Sequence, residues 1–147
     1  MRNPIKTRQN KAGRLWKEFC LLRDGGCQVQ RYFPSLAINH SEVLQVDHCF
    51  SRQIKELFLD VANGTVLCST CNQVKGSGKI GATKRDAVTI AVHEIVKKRE
   101  GIDVYLRLLE IASAPCAFVS WRNIDWLDGQ IIILEEMIEE LKSQKNC

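Results

Sequence analysis

Hydrophobic and polar positions recur with two different rhythms along this chain, one helical and one strand-like. The longest helical stretch runs from Asn123 to about Lys142. There Ile124, Leu127, Ile131, Leu134, Ile138 and Leu141 recur in steps of three and four through three heptads, the seam of a helix packed lengthwise on another. Trp126, Ile132, Ile133 and Met137 widen that face, so its partner is either another helix of the same chain or a second copy in a homodimer. A second helix is predicted from Asp86 to Arg99, with Val88, Ala91, Val92, Ile95 and Val96 on one side. Lys97, Lys98 and Arg99 fill its last turn, where the helix dipole favours cations, and Gly101 ends it. Ile102 to Ala112 repeats the theme and stops before Pro115. Near the N-terminus, Leu15, Trp16, Phe19, Leu21 and Leu22 predict an amphipathic helix over 13–23, closed by Gly25 and Gly26.

Between these helices the rhythm shortens to two. Val43 to Asp47 alternates as a half-buried strand does, and His48 follows immediately. Residues 49–62 carry Ile54, Leu57, Phe58 and Leu59, so this crossing loop is expected to fold onto the core. Asn63-Gly64 is a turn signal, and Thr65-Val66-Leu67 is a β-prone run able to pair with the first strand around the loop. Ser69 or Thr70 can cap a short helix starting near Cys71 and stopped by Gly76 and Gly78. Residues 27–41 read as loop, with Val29 and Tyr32 able to form part of a strand. The expected class is α+β: a small strand–loop–strand–helix hairpin in a mostly helical chain with a long C-terminal helix.

Composition narrows the function. At 147 residues and 45% hydrophobic the chain suits one domain, or a small module with a helical appendage. No apolar run reaches the roughly 20 residues of a membrane helix, and the basic, polar start lacks an apolar segment for secretion, so an intracellular, cytoplasmic protein is expected. The net charge of +4 conceals an asymmetry: residues 1–99 hold 17 basic against 8 acidic side chains, residues 100–147 hold 4 against 9. The first two thirds, at +9, is the part suited to a polyanion. Residues 1–14 carry five cations and no acid, the composition of a flexible basic arm or of a solvated terminus. Glu135, Glu136, Glu139 and Glu140 form an acidic face on the last helix, expected in solvent and away from DNA.

Seven cysteines, of which Cys68 and Cys71 alone form a close pair, point to metal ligation rather than a disulfide framework. Cys20 reads as core, and Cys49, Cys116 and Cys147 as bystanders. The chemistry concentrates in residues 44–75. Asp47 offers a carboxylate and Asn72 a side-chain carbonyl, hard oxygen donors suited to Mg²⁺ or Mn²⁺. His48 is the histidine beside them and a general-base candidate, its unperturbed pKa of about 6.5 suiting work near neutrality. Adjacent strand residues point to opposite faces, so Asp47 and His48 can share a site only where the strand ends or bends. Asn63 is placed to tie the long loop down through backbone hydrogen bonds and so orient His48. Arg52, Lys55, Lys75, Lys79, Lys84 and Arg85 are the phosphate-contact candidates.

Taken together, Asp47-His48, Asn63 and Cys68-x-x-Cys71-Asn72 resemble the HNH (ββα-metal) endonuclease family over roughly residues 15–80. Leu15-Trp16, Leu22-Arg23-Asp24-Gly25, Cys27, Leu44-Gln45 and Ser51-Arg52 extend the likeness to the phage NinG/Rap recombination nucleases, and the Asp-His and Cys-x-x-Cys-Asn elements are also similar to phage endonuclease VII. The resemblance implies that Asp47 and Asn72 hold the catalytic metal, that His48 activates water, and that the ends are 5′-phosphate and 3′-hydroxyl. It implies a substrate such as a Holliday junction in DNA recombination, and a phage protein acting in its bacterial host. It also implies a structural zinc held by two cysteine pairs, but here the first reads Cys27-Gln28-Val29-Gln30, with Gln30 in place of a cysteine. Zinc then needs Cys27, Cys68 and Cys71 plus Cys20, His40 or Cys49, or the position goes to packing instead. His40 reads as a solvent-facing loop residue and His93 as a helix-surface one.

Three readings follow: a Mg²⁺-dependent endodeoxyribonuclease for branched DNA, the same chemistry on linear duplex, and a nucleic-acid-binding module that has lost the chemistry. The expected organisation is a basic arm over 1–14, the nuclease module over 15–80 and a helical region over 81–147 that braces the module or dimerises.

Overall fold

The computed structural model describes residues 3–76, 82–114 and 116–146, so Gly78, Lys79 and Cys147 lie outside the described residues. Among the described residues six α-helices surround one two-stranded sheet: α1 (Pro4–Asp24), α2 (Gln28–Tyr32), β1 (Leu44–His48), β2 (Gly64–Cys68), α3 (Ser69–Gly76), α4 (Ala82–Glu100), α5 (Ile102–Ser113) and α6 (Ile124–Lys145). Single 3-10 turns occupy Lys55–Leu57, Val61–Asn63 and Val119–Arg122. The strands are antiparallel, with Leu44 opposite Cys68 and His48 opposite Gly64.

β2 is buried along its whole length and divides the core in two. Val66 faces α1 and α6, joining Ala12, Trp16, Phe19, Ile131, Leu134 and Ile138. Leu67 faces the other way, toward Val29, Val74, Val88, Val92, Ile95 and Leu108 of α2 to α5. Helices α4 and α5 therefore complete a core that the hairpin shares. The heptad seam of α6 lies on α1 of the same chain, burying Leu127, Ile131, Leu134 and Ile138. A second copy would have to use other side chains of α6, such as the exposed Ile132 and Ile133.

Residues 4–14, expected as a flexible arm, are the first half of α1. Asn3 caps it by accepting from the backbone N–H groups of Ile5 and Lys6 at 3.0 and 3.4 Å, and Pro4 takes the first helical position. The charges that suggested an arm are partly satisfied within the chain: Arg8 pairs with Asp128 and Lys11 with Glu135, each at 2.7 Å. The acidic face of α6 is thus partly spent on α1 rather than left wholly to solvent. Residues 28–32, expected as loop, form the short α2.

A buried ion cluster locks α1, β2 and α4 together. Asp24 accepts from the Val66 N–H at 3.0 Å and pairs with Arg23 at 2.7 Å and Arg99 at 3.5 Å. Both guanidinium groups also donate to the carbonyl of Gly64, at 2.8 and 2.9 Å. Every member of the cluster has an opposite charge or a backbone partner, which is what makes such burial tolerable.

Candidate functional site

Two sites stand at opposite ends of the hairpin. At the β2–α3 junction, Cys27, His40, Cys68 and Cys71 bring one donor atom each to within 4.8 Å of one another. His40 Nδ1 lies 3.8, 3.4 and 3.3 Å from the sulfurs of Cys27, Cys68 and Cys71, and the Cys27 and Cys71 sulfurs are 3.8 Å apart. A tetrahedral ion with metal–sulfur bonds of about 2.3 Å has sulfur–sulfur edges of about 3.8 Å, so this cluster can hold a metal such as zinc. His40 is half-buried, not solvent-facing, and fills the corner left by the missing cysteine, while Gln30 points to solvent. The hydrogen bond between Cys71 and Cys27 pushes the Cys27 thiol down and the Cys71 thiol up, and the Cys71 N–H donates to the Cys68 sulfur at 3.4 Å. The other fourth-ligand candidates go elsewhere. Cys20 is buried under Trp16 and Gly64, and Cys49 lies 3.4 Å from His93; burial pushes both thiols up to about 12.

The second site is a cleft of roughly 420 Å³ where β1 ends, lined by Asp47, His48, Arg52, Asn72, Lys75 and Thr89 among others. Alternation along β1 sends Gln45 and Asp47 toward α3 and Val46 and His48 toward α1. Because His48 is the last strand residue, both it and Asp47 still border one cleft. The His48 ring stacks on Trp16 at 4.2 Å between centroids, with Phe58 at 4.9 Å. Its Nε2 is 3.0 Å from the Phe58 carbonyl, an acceptor, so Nε2 carries the proton and Nδ1 keeps the lone pair. Burial pushes the His48 pKa below its ordinary value, which favours that neutral form.

Asn63 is fully buried and binds the loop at three points. It donates to the carbonyls of Phe50 and Leu57 at 3.1 and 3.2 Å and accepts from the Phe50 N–H at 2.7 Å. It does not line the cleft. Asn72 donates to Gln45 Oε1 at 2.7 Å, which leaves its own carbonyl oxygen free for another partner. Lys75 does not lie along an outer surface: its ammonium pairs with Asp47 and donates to the His48 carbonyl at 3.0 Å. Arg52 borders the cleft, Lys55 lies over the Phe58 and Trp121 rings, and Lys84 and Arg85 sit on the first turns of α4, outside the cleft lining, with Arg85 paired to Asp86 at 3.4 Å.

The sequence reading missed the ring supports of His48, Trp16 and Phe58, and the Gln45 partner of Asn72. Gln45 was within reach of a simple rule, since it sits two residues before Asp47 on the same strand face. His93 is not a plain helix-surface residue, for it packs edge-on to Phe50 and lies 2.9 Å from the Tyr105 hydroxyl. Set against known proteins, the chain matches no family model, no curated protein and no solved structure.

Proposed function

We propose that this protein is a metal-dependent endodeoxyribonuclease of the HNH type that hydrolyses phosphodiester bonds in branched DNA. The observation that carries the reading is the cleft holding Asp47, Asn72 and a neutral His48 whose Nε2 is committed to a backbone carbonyl. An imidazole fixed in that tautomer can take a proton from water through Nδ1, the task of a general base. Stacking on Trp16 and the tie of the loop through Asn63 hold the ring in orientation.

Asp47 and the free carbonyl of Asn72 are a hard-oxygen donor set for Mg²⁺, and the Lys75 ammonium beside Asp47 stands in for a cation there. When bound, the ion would stabilise charge on the scissile phosphate and leaving oxygen. Arg52 and Lys75 border the same cleft and supply positive charge for phosphate oxygens. Zinc is the metal we assign to Cys27, His40, Cys68 and Cys71, where it would staple the 27–41 segment to β2 and α3.

A second reading, a binding module without chemistry, draws on the Lys75–Asp47 pair, since that ammonium neutralises the one carboxylate that lines the cleft among the described residues. Cleavage of a synthetic four-way junction and of matched linear duplex, with and without Mg²⁺, separates the readings. The expected result is Mg²⁺-dependent nicking, stronger on the junction, that falls about 10²- to 10⁴-fold in His48→Ala. Salt-sensitive binding without any cutting would favour the binding module instead.

A further inference from the structure

Beside the cleft, and distinct from it, runs a larger groove of roughly 1130 Å³ between α1, the long loop and the Val119–Arg122 turn. Its charged lining is wholly basic: Lys6, Arg14, Lys17, Arg52 and Lys55. None of these five has a carboxylate partner among the described residues, whereas Arg8 and Lys11 on the same helix are paired with α6. The aromatic rings of Phe58 and Trp121, 5.0 Å apart, form part of the wall. Arg52 lines both groove and cleft, and Phe58 also holds the imidazole of His48 through its carbonyl.

We propose that this groove binds an unpaired single strand of nucleic acid and feeds it toward the cleft. Unbalanced cations along a channel track a phosphate backbone, and each neutralised phosphate makes binding weaken with salt. Aromatic side chains in such a channel favour bases that are free to stack on them. Bases of an intact duplex are already stacked on one another, so Trp121, once a phosphate draws the Lys55 ammonium off its ring, discriminates for the unpaired segment of a branched substrate. Delivery of the strand to the cleft rests on the nuclease reading. Binding in the groove needs no chemistry.

The test uses the full chain without added divalent metal, a short labelled oligothymidylate and a hairpin duplex of similar length, read by fluorescence anisotropy. Arg14→Gln combined with Lys17→Gln is expected to weaken oligothymidylate binding about tenfold or more and to flatten the salt dependence by about 1.4 in log–log slope. Trp121→Leu is expected to weaken oligothymidylate about 5- to 150-fold and to leave the duplex unchanged. Arg31→Gln with Lys98→Gln removes two cations outside the groove and should leave both affinities as they were. Parental affinity in both groove variants would overturn the proposal. So would polyglutamate competing as well as the oligonucleotide, which would assign the groove to an acidic peptide. His48→Ala keeps the two ideas apart: groove-dependent binding without His48-dependent cleavage counts against the nuclease reading alone, and unchanged binding with intact cleavage counts against the groove alone.

Discussion

Lys75 is the residue on which the chemistry of the cleft turns, because its ammonium pairs with the carboxylate proposed to hold a divalent cation. Both side chains are mostly shielded, 17% and 24% exposed, so their attraction is only partly screened by water. A divalent ion at Asp47 and Asn72 must displace that ammonium or repel it. Lys75→Met is therefore expected to tighten Mn²⁺ binding by about tenfold, or ~1.4 kcal/mol, measured by electron paramagnetic resonance or calorimetry without DNA. Unchanged or weaker Mn²⁺ affinity would remove Asp47 from the metal site. Single residues were unevenly legible in the sequence. The loop-tying role of Asn63 followed from its side chain and its place before a glycine. Gly64 was read as a turn, yet it is the first residue of β2 and has an ordinary φ of −89°. A Cβ there would lie 2.5 Å from the Cys20 sulfur and 2.7 Å from the Trp16 ring, so the glycine is needed for close approach. Such a constraint comes from neighbours 44 and 48 positions away and leaves no local pattern.

At the scale of elements, periodicity located α4, α5, α6, the second half of α1 and both strands among the described residues, and capping and glycine signals located α3, to within a few residues at most ends. It failed at the start of α1. There Asn3-Pro4 is a capping signal, but the density of charge after it imitates a disordered arm until the acids of α6 are brought alongside. It missed the five-residue α2, and it says nothing of what fixes the loop between α2 and β1, which is held through His40 in the Cys27, His40, Cys68 and Cys71 cluster rather than by a hydrophobic rhythm. The lone His40 gives no spacing signal because its partners lie 13, 28 and 31 positions away. If zinc is the ion, elemental analysis of purified protein should find about one per chain, and His40→Ala or Cys68→Ser should reduce it. A structural zinc contributes several kcal/mol to folding, and each kcal/mol is worth about 2–4 °C at this size. Chelation should therefore lower the melting temperature by about 10 °C or more, and full metal retention by His40→Ala would remove that histidine from the site.

Among the described residues the molecule is two hydrophobic layers sharing one buried strand, and a half-buried histidine packs against aromatic rings in each. His48 lies in the α1–α6 layer against Trp16 and Phe58; His93 lies in the other against Phe50, Tyr105 and Cys49. Burial pushes both below the ordinary histidine value. Lys75 adds to the effect at both, with Lys97 at His93 and Arg52 at His48, while Glu94 opposes it at His93 and the Phe58 carbonyl and Asp47 oppose it at His48. In the unfolded chain each returns to about 6.5. Below that value the unfolded chain binds more protons than the folded one, so stability present above pH 6.5 is lost as pH falls toward the depressed native values. Each histidine adds at most about 1.4 kcal/mol per pH unit to that slope. Because β2 belongs to both layers, the loss should appear as one cooperative transition moving to lower urea, rather than as two. Urea unfolding measured at intervals between pH 7.5 and 5.5 checks this, with His93→Gln keeping a polar partner for Cys49 and Tyr105 while removing one titrating group. The variant should show a shallower slope if the two layers unfold together. A parental slope in His93→Gln would mean that the second layer stays closed while the first opens, and that the shared strand does not couple them.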